Sequence, residues 1–138
     1  MNWLFVDTAG WMAVVDRGDT IHAAACGERD RWLEKGGRLL TTDYVIDETL
    51  TLIRMRLGIP AARVWWEMAS RSPRLKIEWI NPQRAERARE WFFKWQDQAF
   101  SFTDCTSFAV MKEMNVREAL TSDHHFLVAG FTLLPPAA

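Results

Sequence analysis

Three aspartates in this sequence stand where a carboxylate could do chemistry. Asp7 directly follows a short apolar run, Asp123 follows a second one, and Asp104 begins a segment with helical periodicity. A carboxylate beside a buried apolar strand is costly unless it is paired or binds a cation. Each aspartate also has a structural interpretation, Asp7 and Asp123 as turn or cap residues and Asp104 as the end of the capping-box pattern Ser101-x-x-Asp.

A fourth acidic candidate, Glu48, has weaker support from spacing. It lies in a predicted helix but off the apolar stripe of that helix, which is formed by Ile46, Leu50, Ile53 and Leu57. Helical spacing alone therefore favours a solvated glutamate. Asp43 and Asp47, in the same segment, are competing candidates.

A cluster of Asp7, Glu48, Asp104 and Asp123 would suit metal-dependent hydrolysis. Mg²⁺ prefers oxygen ligands and keeps several of its waters. A bound metal lowers the pKa of its water and neutralises charge that develops on phosphorus, so no nucleophilic side chain is required. The sequence contains no G-x-S-x-G, P-loop or G-x-G-x-x-G pattern that would indicate another chemistry.

The elements that must position these acids alternate along the chain. Strands are predicted at 3–6, 38–41, 75–80, 119–121 and 131–134, and helices at 9–15, 20–35, 43–57, 60–71, 82–96 and 103–114. Such alternation predicts an α/β fold with a mostly parallel central sheet of about five strands, covered by helices on both faces. Ligands of such sheets bind outside the carboxyl ends of the strands, which is where Asp7 and Asp123 fall.

The composition is that of an ordinary globular chain, with 138 residues, 49% of them apolar and 25% charged. Residues 1–138 are therefore expected to form a single domain. Cys26 and Cys105 form no CxxC pair and are expected to be free thiols. The N-terminus has no basic start and no apolar run approaches the ~20 residues of a membrane span, so a cytoplasmic location away from membranes is expected.

Charge is distributed unevenly. Residues 54–94 contain ten Lys/Arg and four Asp/Glu, a balance of +6, in a chain whose net charge is −1. This basic segment suits a surface that binds phosphates or an acidic partner, and a solvated arginine-rich face explains it equally well. The pair His124-His125 could contact a phosphate, but a helix-start or surface role is favoured.

The eight tryptophans are numerous for this length. Trp65-Trp66 and the aromatic run 91–95 place large rings on more than one side of their predicted helices, so some rings should lie near the surface. Exposed aromatic side chains beside arginines are typical of protein interfaces. Complete burial in the core and, less favoured, stacking on RNA bases remain alternatives.

Four segments together resemble the motifs of PIN-domain ribonucleases in order, spacing and residue types. They are LFVDT at 4–8, VIDETLTL at 45–52, SFTDCTSFAVM at 101–111 and LTSDHHF at 120–126. The third segment is the most specific, and the second is weak without the others. The resemblance covers nearly the whole chain. Within that family, the size and the motifs look most like VapC-type toxins, the nuclease half of type II toxin–antitoxin pairs.

The resemblance implies a PIN-like three-layer domain that hydrolyses RNA phosphodiester bonds with Mg²⁺ or Mn²⁺. It also implies a homodimer and a small antitoxin protein that blocks the site. Thr8 matches a hydroxyl position that could orient the first aspartate, and Ala9 stands where the family often has serine. The acids that the resemblance places at the metal and in catalysis are Asp7, Glu48, Asp104 and Asp123.

Three alternatives remain at this stage. One is a PIN nuclease that processes RNA outside any toxin pair. Another is a non-catalytic regulator that binds a partner or operator DNA through the basic segment, although such a protein has no use for four acids. An aspartyl-phosphate phosphatase is disfavoured because Ala9 stands where those enzymes carry a second aspartate.

Overall fold

A computed structural model, which describes residues 2–137, shows strands and helices alternating as the sequence predicts. The strands are β1 (Trp3–Val6), β2 (Arg38–Thr42), β3 (Leu75–Glu78), β4 (Glu118–Leu120) and β5 (Thr132–Leu134). The helices are α1 (Thr8–Val15), α2 (His22–Glu34), α3 (Asp43–Leu57), α4 (Ile59–Arg71), α5 (Pro82–Lys94), α6 (Phe102–Glu113) and α7 (His124–Val128).

The five strands form one parallel sheet in the order β3-β2-β1-β4-β5. The chain therefore moves outward from β1 in one direction and then returns to place β4 on the other side of β1. Helix α1 contacts α2 and α3, α3 contacts α4, and α5 packs on α6. Right-handed crossovers place α1–α4 and α5–α6 on opposite faces, which gives the expected three layers. Ligands of such sheets bind where the strand order reverses, here between β1 and β4.

The main differences from the sequence prediction concern α7 and β3, and several other elements begin or end one or two residues away from the predicted bounds. Helix α7 is not predicted because its five residues are too short to show a helical repeat. Strand β3 ends at Glu78 rather than at residue 80, because its neighbour β2 ends at Thr42, the residue paired with Glu78. The amide of Ile80 instead donates to the carboxylate of Asp43 at 2.9 Å.

The core is built around β1, whose Leu4, Phe5 and Val6 are fully buried. Helix α1 packs directly on β4. The two backbones are so close at Gly10 that a Cβ atom there would lie only 2.0 Å from the carbonyl oxygen of Leu120. This close approach holds the start of α1 against the end of β4. Both cysteines are free thiols, as predicted, and none of the described helices is long and apolar enough to cross a membrane.

Candidate active site

A cavity of about 280 Å³ opens at the carboxyl ends of β1 and β4, where the strand order reverses. All four acids predicted from the sequence line it. The other lining side chains are mostly small or polar and include Thr8, Ala9, Asp19, Arg56, Ser107 and Ser122. The fold therefore gathers into one place residues that are more than one hundred positions apart in the chain.

Asp7 is the buried floor of this cavity, with only 5% of its surface exposed. It caps α1: its Oδ1 accepts a hydrogen bond from the amide of Gly10 at 2.8 Å, and its Oδ2 accepts one from the hydroxyl of Thr121 at 2.8 Å. The pKa of Asp7 is raised to about 8, chiefly by burial and also by the charges of Asp123 and Asp104, against the lowering effect of its two hydrogen bonds. Without a cation nearby, Asp7 therefore holds a proton at neutral pH.

Thr121 is a site residue that the sequence did not reveal. Its hydroxyl donates to Asp7 and accepts a hydrogen bond from the amide of Asp123 at 2.9 Å. One side chain at the end of β4 thus fixes two of the acids. The only sequence signal was a threonine that directly follows an apolar strand and precedes a Ser-Asp turn.

Asp104 combines the two roles that the sequence left open. It closes a capping box at the start of α6, because its amide donates to the hydroxyl of Ser101 at 2.9 Å and its Oδ2 accepts from the amide of Ser101 at 3.1 Å. The same carboxylate lines the cavity. Burial raises the pKa of Asp104, and the charge of Asp123 adds to the rise.

Asp123 caps the short helix α7, where its Oδ1 accepts from the amide of His125 at 2.9 Å. The imidazole Nδ1 of His125 lies 3.2 Å from Oδ2 of Asp104 and 3.4 Å from Oδ1 of Asp123. One ligand atom from each of these three residues lies within 4.8 Å of the others, a spacing that a metal ion can bridge. His125 lies in the first turn of α7, in agreement with the helix-start or surface role favoured for the pair His124-His125, and its contact with two acids is an addition that the sequence did not show.

Glu48 lies on α3 and also lines the cavity, although its side chain is exposed. Its carboxylate does not belong to the tight group of Asp104, Asp123 and His125. The side chain of Glu48 is thus exposed to solvent, as helical spacing predicted, and it also lines the cavity, as the resemblance implied.

The two competing acids of the Glu48 segment lie elsewhere. Asp43 holds the amide of Ile80 at 2.9 Å, and neither Asp43 nor the exposed Asp47 is among the residues that line the cavity. Among these three acids, the structure therefore supports Glu48 as the site residue.

Thr8 does not orient Asp7, contrary to the role suggested by the resemblance. Gly10 and Thr121 bind the two carboxylate oxygens of Asp7. The hydroxyl oxygen of Thr8 is buried without a hydrogen-bond partner among the described residues, although Thr8 lines the cavity. An unpartnered buried hydroxyl is costly, and a water in the cavity would satisfy it.

The donor set fits a hard divalent cation. Carboxylate oxygens from Asp7, Asp104, Asp123 and Glu48 line one cavity, and such oxygens are the ligands that Mg²⁺ and Mn²⁺ prefer. Burial raises the pKa values of Asp7 and Asp104, and the charges of neighbouring carboxylates add to the rise. A cation would offset those negative charges, and the unpartnered hydroxyl of Thr8 marks a place for a water beside it.

The basic segment 54–94 is partly used inside the protein. Arg84 is buried, pairs with Glu78 at 2.7 Å and with Glu113, and donates to the carbonyl oxygen of Trp79 at 2.9 Å. Arg84 is therefore a structural residue that ties β3 to α5 and α6, and it cannot belong to the binding surface predicted from the charge balance.

Several aromatic rings lie at the surface, as their positions on two sides of a helix predicted. Trp65 is buried, whereas Trp79 and Phe93 are 68% and 65% exposed. Trp66 and Trp95 are also exposed. The alternative that every ring belongs to the core is therefore wrong.

The chain is similar to proteins whose activity is described. The PIN domain family matches residues 4–131. A 23S rRNA-specific endonuclease of Mycobacterium tuberculosis, VapC20, is 34% identical over 137 residues, covering 96% of this chain and 98% of the relative, in each of two strains.

Solved structures agree with this similarity. The crystal structure of M. tuberculosis VapC20, described as a sarcin-ricin loop cleaving toxin, matches with a TM-score of 0.84 at 34% identity, covering 94% of this chain and 96% of that one. FitAcB from Neisseria gonorrhoeae matches with a TM-score of 0.70 at 14% identity over 95% and 96% of the two chains, which supports the fold alone. The family match and the similarity to VapC20 along almost the full chain show that this protein belongs to the PIN domain family.

Proposed function

We propose that this protein is an endoribonuclease that hydrolyses RNA phosphodiester bonds with Mg²⁺ or Mn²⁺. The observation that carries the proposal is the cavity at the carboxyl ends of β1 and β4, where buried Asp7, whose pKa is raised, lies among four further carboxylates. The similarity to an endonuclease specific for 23S rRNA supports RNA as the substrate class. A stem–loop RNA with the sarcin–ricin sequence is therefore the first substrate to test.

The proposed roles follow from the site geometry. Asp7, Asp104, Asp123 and Glu48 would hold the cation, which supplies an activated water and charge neutralisation at the scissile phosphate. Asp7 is kept in one rotamer by its two hydrogen bonds. The hydroxyl of Thr8 is placed to bind a water in the cavity.

His125 has a separate proposed role. Its imidazole lies between the carboxylates of Asp104 and Asp123 and limits their movement. Because both carboxylates belong to the proposed cation site, His125 is a positioning residue whose removal should weaken metal binding.

Cleavage in vitro and in cells tests the proposal. Purified wild-type protein should cut the sarcin–ricin stem–loop with Mg²⁺ and lose this activity with EDTA, and sequencing of RNA ends after induction should locate the cellular cuts. Asp104→Asn should be inactive. Asp47→Asn should be active, because Asp47 is an exposed residue of α3 that does not line the cavity. Metal-independent cleavage, or equal activity of the two variants, would contradict the proposal.

We further propose that the protein is the toxin of a toxin–antitoxin pair and that its small antitoxin binds an apolar groove between α1 and α4. This groove has a volume of about 440 Å³ and an almost entirely apolar lining, with Val64 68% exposed at its rim. At its base lies Trp65, whose indole N–H is buried without a hydrogen-bond partner in the described chain. A bound peptide segment would cover the exposed apolar rim of the groove.

Co-expression with the protein encoded by the adjacent gene tests the pairing. Val64→Glu should weaken the complex, whereas Met55→Glu, at an exposed residue outside the groove, should leave it intact. A complex that is insensitive to Val64→Glu would place the antitoxin elsewhere.

We also propose a homodimer, in which exposed rings such as Trp79 and Phe93 contribute apolar contact area. Light scattering after gel filtration measures the mass directly. Phe93→Glu should shift a dimer toward the monomer, and a wild-type monomer at all concentrations would refute this assembly.

A further inference from the structure

Arg56 is a cation in a cavity that is otherwise strongly acidic. The lining contains five carboxylates, of Asp7, Asp19, Glu48, Asp104 and Asp123, and Arg56 is the one Lys or Arg side chain among the lining residues. RNA is a polyanion, so a purely acidic entrance would repel the strand on either side of the scissile phosphate.

The position of Arg56 on α3 follows from helical spacing. Glu48, Leu52 and Arg56 are four residues apart, so they form one line along the helix, and all three line the cavity. The step of eight residues from Glu48 to Arg56 corresponds to about 12 Å along the helix axis. Arg56 therefore lies toward the end of the cavity away from Glu48.

The guanidinium of Arg56 is exposed and makes no hydrogen bond or ion pair with any residue from 2 to 137. Arg84 provides a contrast, since its guanidinium is buried and fully engaged with two glutamates. A planar guanidinium offers several donors in a fork that matches two phosphate oxygens. Arg56 thus has both the position and the free donors to hold a phosphate.

We propose that Arg56 binds a phosphate of the RNA strand next to the scissile one and so fixes the register of the strand in the cavity. The inference rests on the proposed ribonuclease function. Because Arg56 lies about two helical turns from Glu48, it acts in RNA binding rather than at the reacting phosphorus. Its removal should therefore raise KM and change kcat little.

The test compares Arg56→Gln with Arg54→Gln. Both variants lose one positive charge from exposed positions of α3, but Arg54 does not line the cavity. For a sarcin–ricin stem–loop RNA, Arg56→Gln should raise KM about tenfold and leave kcat within about twofold. It should also reduce the slope of log affinity against log salt by about 0.7 to 0.9. Arg54→Gln should change neither quantity appreciably, and Arg56→Lys should recover part of the affinity.

RNA affinity in an Asp104→Asn background, measured by fluorescence anisotropy, separates this inference from the proposed function. If Arg56→Gln weakens RNA binding there while the wild type cuts no RNA, the binding of an RNA phosphate by Arg56 stands and the nuclease function fails. If Arg56→Gln and Arg54→Gln give the same RNA affinity and the same salt slope, the inference is overturned. Loss of antitoxin binding with unchanged RNA affinity would assign Arg56 to the protein partner and would also overturn it.

Discussion

Binding of Mg²⁺ should release a proton from Asp7 at neutral pH. Burial raises the pKa of this carboxyl from an ordinary value of 3.8 to about 8. A carboxyl group must lose its proton before it can ligate a metal. The cation therefore competes with the proton for Asp7, and the competition is measurable.

The magnitude follows from the pKa of Asp7. With a value of about 8, roughly 0.9 of the molecules carry the proton at pH 7 and roughly half carry it at pH 8. About 0.9 protons should therefore leave Asp7 per bound Mg²⁺ at pH 7. The apparent affinity should increase about 50-fold between pH 6 and pH 8 and then approach a plateau.

Calorimetric titration in two buffers with different ionisation enthalpies measures the proton release. The difference between the apparent enthalpies divided by the difference between the buffer enthalpies gives the number of protons. Thr121→Val provides a second check, because it removes a hydrogen bond that lowers the pKa of Asp7 and should move the affinity rise to higher pH. No proton release at pH 7, together with an affinity that is constant from pH 6 to pH 8, would refute the reasoning.

The raised pKa of Asp7 also determines whether the metal-free protein becomes more or less stable as pH rises. Folded Asp7 keeps its proton up to a pKa of about 8, whereas the unfolded chain loses it near 3.8. The folded state therefore binds more protons over this interval, and the free energy of unfolding falls as pH rises from about 4 to about 8. In EDTA, Asp7→Asn should accordingly melt at a higher temperature than the wild type at pH 8, with a smaller difference at pH 5.

The remaining predictions concern catalysis, packing and a buried ion pair. Glu48→Gln should lower RNA cleavage by ~10²-fold or more without loss of thermal stability, whereas exposed Asp47→Asn should remain active. Gly10→Ala should destabilise the fold by ~2 kcal/mol or more in chemical denaturation, because its Cβ would meet a backbone carbonyl at 2.0 Å. The matched helical substitution Gly27→Ala, which meets only a flexible side chain, should be neutral or stabilising. Arg84→Ala should cost about 2 kcal/mol, because it removes the charged hydrogen bonds that tie β3, α5 and α6 together, while the salt dependence of RNA binding stays unchanged. Glu78 and Glu113 keep their ion pairs with Lys76 and Arg87, so neither glutamate is left without a cation.

Local patterns in the sequence were sufficient to predict the main elements and the places of the acids. The apolar run before Asp7 and the capping box around Asp104 are short-range signals, and both are present in the structure. The alternation of strands and helices then places the strand ends at one edge of the sheet. Glu48 was different, because helical spacing argued against it and the resemblance of four ordered motifs argued for it.

The contacts that complete the site could not be predicted in the same way. Thr121 is 114 residues from Asp7, and no periodicity links the two. His125 reaches Asp104 because α7 follows β4 beside α6, an arrangement that depends on the strand order. Arg56 and Arg84 have the same residue type in the same basic segment, yet one faces the cavity and the other is buried in ion pairs. Only the packed structure distinguishes them.

The structural and catalytic interpretations of the three aspartates proved not to be alternatives. Asp7 and Asp123 cap α1 and α7, Asp104 closes the capping box at the start of α6, and all three line the cavity. A cap uses part of the acceptor capacity of a carboxylate, and each oxygen can accept more than one interaction. The caps fix the carboxylates at helix starts, but they provide too little positive charge to keep the pKa of buried Asp7 in its usual range. Among the described residues, His125 is the one side chain with a potential positive charge in contact with these acids. The fold thus holds its acids rigidly and leaves their charge uncompensated, which is the condition under which a divalent cation binds most favourably.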